Sequence, residues 1–126
     1  MASVIFAQKA DEIIGKYHLP NNLDIEIFKQ GDKYFGKIIA LNKFNNGQTK
    51  DLNNPNELHR NDSLIGKIII KNLEFDKESK QWLNGAIYAP EKGIILNLKV
   101  TDIRKSEIIV VGSKYFFWKT LQWKKI

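Results

Sequence analysis

A chain of 126 residues with a formal net charge of +6 and no cysteine fits a single domain. It must hold together by packing and hydrogen bonds, because disulfides, thiolate metal sites and a cysteine nucleophile are all excluded. The basic balance does not point to nucleic acid. Of 20 basic residues only Arg60 and Arg104 are arginine, the side chain whose planar fork pairs with phosphate and guanine, and the lysines are spread over nearly every segment.

The chain opens MASVIFAQKA. Val4-Ile5-Phe6-Ala7 ahead of Gln8-Lys9 reads as the tail of a secretory signal with Ala7 at the cleavage position, although it lacks a basic n-region and falls short of the ~7–15 residues of an apolar h-region. Residues 1–8 are therefore expected to be a signal remnant or tail, against the alternative of a short first strand over 3–7, and residues 9–126 one barrel domain. No stretch approaches the ~18 consecutive apolar residues of a membrane helix, so an integral membrane protein is not expected.

From there strand signals recur with turn signals between them. Residues 13–17 form a first strand. In 23–27 strict alternation turns Leu23, Ile25 and Ile27 inward and the carboxylates outward. Gly31 supplies the turn into a third strand at 34–41. Residues 43–62, crowded with Asn and holding one Gly and one Pro, make the longest loop. A strand at 64–71 follows, then a polar link over 74–80. Residues 82–89 and 94–101 pair around Pro90 and Gly93, and 107–114 with 117–124 complete the set.

Eight short strands predict an all-β chain closed as a small antiparallel eight-stranded barrel, with an interior either filled by side chains or holding one small ligand. The pair at 82–98 carries a further expectation. Trp82, Ala86, Tyr88, Leu96 and Leu98 fall on one face and Leu83, Ile87 and Ile95 on the other, and both sets are apolar. The second face therefore needs a cover.

Candidate chemistry is sparse. Asp51, His59, Arg60 and Asp62 share the long loop, where Arg60 is expected to clamp the loop on Asp51 or on backbone carbonyls. With no activated nucleophile beside them, catalysis is not expected there. His18 and His59 lie far apart without a His-Glu-x-x-His spacing, so no metal site and no cofactor are expected. Tyr115-Phe116-Phe117-Trp118 and Trp123, interleaved with lysines, are the densest aromatic cluster, and strand alternation should turn several of these rings into the core or a pocket wall.

Three pieces in order, IIGKY with YFGKIIAL, DLNNPNELHRNDSLIGKIII, and WLNGAIYAPEKG with the closing Trp123, resemble the uncharacterised bacterial family known as domain of unknown function 2147. The matching positions are Gly15, Gly36 and Lys37; Asp51, Asn54, Pro55, Arg60, Leu64, Ile65 and Gly66; and Trp82, Gly85, Ile87, Tyr88, Pro90 and Gly93. The resemblance implies a lipocalin-like (calycin-like) barrel, export, and no established reaction. It also implies that Tyr17, in a Gly15-Lys16-Tyr17 similar to the Gly-x-Trp of lipocalin barrels, closes one end beneath Lys124 or Lys125. The chain departs from the family at Ala89, where an Asp is usual, at Ile94 and Leu96, where Lys and Tyr are usual, and in lacking the cysteines of many members.

The resulting expectation is a periplasmic or otherwise exported, non-enzymatic barrel that binds a small apolar or amphipathic ligand in a pocket lined by Trp82, Tyr88, Leu96 and Trp118. The alternative is an envelope protein–protein adaptor with a solid core.

Overall fold

The computed structural model describes residues 10–126 of the chain; the expected signal remnant at 1–8 lies outside them. Eight strands run in chain order: β1 (Gly15–His18), β2 (Asp24–Gln30), β3 (Lys33–Ala40), β4 (Ile68–Asp76), β5 (Gln81–Ala89), β6 (Ile94–Ile103), β7 (Glu107–Lys114) and β8 (Phe117–Lys125). Each pairs antiparallel with the next, and β1 meets β8 to close a barrel. Closure at that seam is short: only Tyr17 with Lys125 and His18 with Lys124 are in register.

Alternation places Leu23, Ile25 and Ile27 fully inside, as their period of two requires. Tyr34, Ile38, Ile70, Leu73, Trp82, Leu98, Val100, Ile108, Val110 and Trp123 join them in one continuous core. Two glycines let β4 side chains lie across the barrel. A Cβ on Gly36 would stand 2.9 Å from Ile70 Cδ1, and one on Gly85 2.5 Å from Leu73 Cδ2. The concavities described along this wall and its ends are all open at the surface, and the inward side chains form one buried hydrophobic cluster.

Three elements differ from the sequence reading. The first strand begins at Gly15, because Ala10–Ile13 form a 3-10 turn that plugs the end of the barrel. Trp82 Nε1 donates to Ala10 O (3.0 Å), Tyr34 OH to Asp11 Oδ1 (2.6 Å) and Tyr17 OH to Ile13 O (2.8 Å), while Ile13 is wholly buried. The fourth strand runs from Ile68 to Asp76 rather than over 64–71. Leu64 to Lys67 is a turn closed by Lys67 N on Leu64 O (3.1 Å), and Asn72 takes a positive φ of 64° that carries β4 onward through a bulge. The polar link at 74–80 is thus strand as far as Asp76 and turn over 77–80.

The connection from β3 to β4 holds the core's second cover. Asn42, Lys43, Asn45 and Asn46 all adopt positive φ, which Asn tolerates better than most residues, and so wind a tight turn around a buried Phe44. Phe44 and Leu64 join Leu19 and Leu23, from the β1–β2 connection at the same end, in the core.

Candidate functional site

The remainder of the long connection folds back over the outside of β4 and β5. Its anchor is Asp51, whose side chain is fully buried and accepts hydrogen bonds from Tyr88 OH (2.7 Å), Asn54 Nδ2 (2.7 Å) and Lys67 Nζ (3.1 Å). Burial alone would push the Asp51 carboxyl up, but the hydrogen bonds from Tyr88, Asn54 and Lys67, with the lysine charge, outweigh it and hold the group below the usual carboxylate value. The Tyr88 hydroxyl is pushed up in turn, first by burial and then by the bond to Asp51 and its charge. At neutral pH the pair is thus a carboxylate bonded by a neutral phenol. Lys67 Nζ also lies 6.0 Å from the centre of the Tyr88 ring, within cation–π range.

A second clip ties the loop to the β5–β6 turn. Asn53 Nδ2 donates to Pro90 O (3.2 Å) and Glu91 O (3.1 Å). Gly93, at φ +68°, makes room for this approach: a Cβ there would stand 1.9 Å from Asn53 O. The outer face of β5 at its Tyr88 end thereby gains its cover from the chain itself.

Arg60 does not reach Asp51. It is exposed, and its Nε donates to Asn54 O (2.8 Å), so it clamps the loop through a backbone carbonyl while Lys67 takes the carboxylate. His59 Nδ1 pairs with Asp62 Oδ2 (2.9 Å) on the exposed side of the loop, and His18 Nδ1 with Asp24 Oδ1 (2.6 Å) on the barrel. The two histidines do not converge, and among the described residues no group of three His, Cys, Asp or Glu side chains gathers as metal ligands would.

The four residues expected to line one pocket are dispersed. A bulge in β5, with Asn84 at φ 64°, shifts the parity of the strand. Trp82, Gly85 and Ile87 therefore face the barrel while Ala86 and Tyr88 face outward. Trp82 is buried at the plugged end against Phe75, with ring centres 5.0 Å apart. Leu96 is half-buried and opposes Ile87. Trp118 is exposed on β8 opposite Ser113. Tyr88 alone of the four borders the concavity described next.

Between the loop and the outer wall lies a cleft of about 330 Å³, within the size range of small-molecule sites. Its floor is Ile68, Ile69, Ala86 and Ile95; Tyr88 and Gly93 form one wall, and Asn54, Pro55 and Asn56 the opposing rim. Lys67 and Lys71 stand at its edge. Lys67 is neutralised by Asp51, whereas Lys71 is exposed with no ion-pair partner among the described residues. The cleft is apolar beneath and carries one unbalanced positive charge at its mouth. Reading the sequence found Asp51 and Tyr88 separately but missed Lys67 and the cleft, because the Asp51–Tyr88 contact spans 37 residues and no local spacing encodes it.

An antiparallel barrel of eight strands, each paired with its neighbour in sequence and plugged at one end by a short 3-10 turn, has the lipocalin-like architecture. The solved structure of protein HP1028 from Helicobacter pylori, described as belonging to the lipocalin family, is similar to it with a TM-score of 0.79 and 21% identity, covering 90% of this chain and 82% of that one. Residues 15–125 match the family model described as "Uncharacterized protein conserved in bacteria (DUF2147)", and the chain belongs to that family. No curated protein matches the chain.

Proposed function

We propose that this protein is a non-enzymatic binder of a small amphipathic molecule, held in the cleft between the long loop and β4–β6. The observation that carries the reading is the apolar floor of Ile68, Ile69, Ala86 and Ile95 beside Lys71, which has no ion-pair partner among the described residues. An apolar body would cover the floor and an anionic head would meet the lysine, which favours a carboxylate or phosphate amphiphile over a neutral or cationic one. The lipocalin-like fold of the chain and of its structural neighbour supports ligand carriage in general. In lipocalins a ligand sits inside the barrel, whereas the cleft proposed here lies between the loop and the outer wall, and the inward side chains form one buried cluster.

Calorimetric titration of decanoate into the wild type and into Ala86→Trp, which fills the floor from a partly exposed outward position, tests the reading. Saturable one-site binding is expected in the wild type and none in the variant at unchanged melting temperature. Equal binding by both removes the cleft from consideration.

Export across the inner membrane belongs to the same reading and is supported by the VIFAQ run. Fractionation of cells expressing the natural gene checks it; protein in the cytoplasm with residues 1–7 intact contradicts it.

A further inference from the structure

The β7–β8 hairpin has one open edge: β7 stays paired with β6 up to Ser113, whereas β8 has no strand on its other side above Lys124. β8 continues upward from its last pairing with β1, at Lys124, as far as Phe117, a rise of roughly 20 Å at ~3.3 Å per residue. Phe117 shares the inward parity of Leu121 and Trp123, and Trp118 the outward parity of Thr120. Because β1 ends at His18, no strand of the barrel stands against the upper part of β8, and both faces of the hairpin meet solvent. Tyr115, Phe116, Phe117 and Trp118 are 87%, 89%, 79% and 74% exposed, four consecutive large aromatics at one tip. The expectation that such rings enter the core fails here for want of a facing wall; Trp123, lower on the strand, is buried.

Beside the aromatic run the charge has one sign: Lys114 and Lys119 flank it, and no acidic residue lies between Ile108 and Ile126, with Lys124 and Lys125 lower down at the β1 seam. Lys114 Nζ caps Ile95 O (3.1 Å) and lies 5.2 Å from the Tyr115 ring centre, while Lys119 is exposed beside Trp118.

We propose that this hairpin tip docks the protein on an anionic bilayer surface, with the aromatic rings at headgroup level and the lysines against lipid phosphates. Trp, Tyr and Phe favour the membrane–water interface, and basic residues beside them are attracted to an anionic leaflet. Phe116 and Phe117 are 89% and 79% exposed at the tip, while Tyr115 and Trp118 border an open concavity on the outer face, so the rings are free to enter a headgroup layer. A second copy of the chain fits less well. Lysines along an open strand edge oppose pairing with another strand, and a net charge of +6 opposes self-association. The inference is independent of the cleft.

The protein carries its own reporter: Trp82 and Trp123 are buried, so Trp118 is the exposed tryptophan of the three. The full chain is floated with vesicles of phosphatidylcholine alone and of phosphatidylcholine and phosphatidylglycerol in equal parts, at low and high salt, with emission recorded in parallel. Binding to the mixed vesicles only, with a blue-shifted emission and loss at high salt, is expected. Lys119→Ala should weaken binding about fivefold, and Phe116→Ser/Phe117→Ser roughly tenfold or more. Lys119→Ala is an exposed change and remains informative should the double variant fold poorly. Absence of flotation, flotation unchanged by both variants, equal binding to neutral vesicles, or a stable dimer formed through the tip without vesicle binding would each overturn the proposal.

Discussion

The β5 wall and the β7–β8 hairpin both present apolar residues on two faces, yet only one of them is covered. On β5 the outward Tyr88 is roofed by the long loop, held by polar contacts from Asp51 and Asn53. On the hairpin nothing among the described residues supplies a roof, and Tyr115 to Trp118 are exposed. The difference teaches that an apolar second face states a need for a partner without naming it. A buried polar anchor decides whether the chain's own loop fills the place, because a roof of loop residues needs its backbone and side-chain polar groups satisfied to remain seated.

The strongest break of that comparison is at the second clip. Gly93→Val forces a side chain into Asn53 O from a left-handed backbone, and a loss of about 3 kcal/mol or more in chemical denaturation is expected, with the loop released. Asp51→Asn comes next. All three partners of this carboxylate donate, so an amide nitrogen there faces a donor and Lys67 loses its counter-charge. A loss of about 2–3 kcal/mol at neutral pH is expected. Because the folded carboxyl is held below its ordinary value, its contribution is full above the unfolded value of ~3.9 and fades as pH falls through the lower folded value. The gap between wild type and Asp51→Asn should therefore stay constant from neutral pH to roughly 5 and close below about 4 in pH-dependent melts.

Smaller effects sharpen the contrast. Tyr88→Phe leaves one carboxylate oxygen short of a donor and should cost about 1–2 kcal/mol, with faster hydrogen exchange across residues 50–56. Arg60→Ala removes an exposed contact to one carbonyl and should cost under about 1 kcal/mol. Phe117→Ser, on the bare hairpin, should leave stability within about 0.5 kcal/mol of wild type. A large loss there would mean that the hairpin is covered after all.

Much of the fold was legible because strand alternation and turn chemistry are local. Leu23, Ile25 and Ile27, the Pro90–Gly93 turn and the run from Glu107 to Lys114 follow from period two and from residues that set φ. Asn72 and Asn84 were not legible as bulges: a single Asn inside an apolar run looks like an ordinary outward residue, yet at φ 64° each reverses the parity beyond it. That reversal dispersed Trp82 from Tyr88 and hid the cleft. The partner of Asp51 was equally out of reach, since Arg60 is its near neighbour in sequence and Lys67 its neighbour only once the loop has turned at Gly66. The exposure of Tyr115 to Trp118 depends on how early β1 stops, a fact carried at the other end of the chain.

The most direct test of the outer cleft is a nuclear magnetic resonance titration of isotope-labelled protein with decanoate. Saturable shifts are predicted at residues 54–56, 67–71, 86–88 and 93–95, with Val110 and Trp123 inside the barrel unmoved. Shifts centred on the interior residues Leu98, Val110 and Trp123, or on 115–118, would contradict the account.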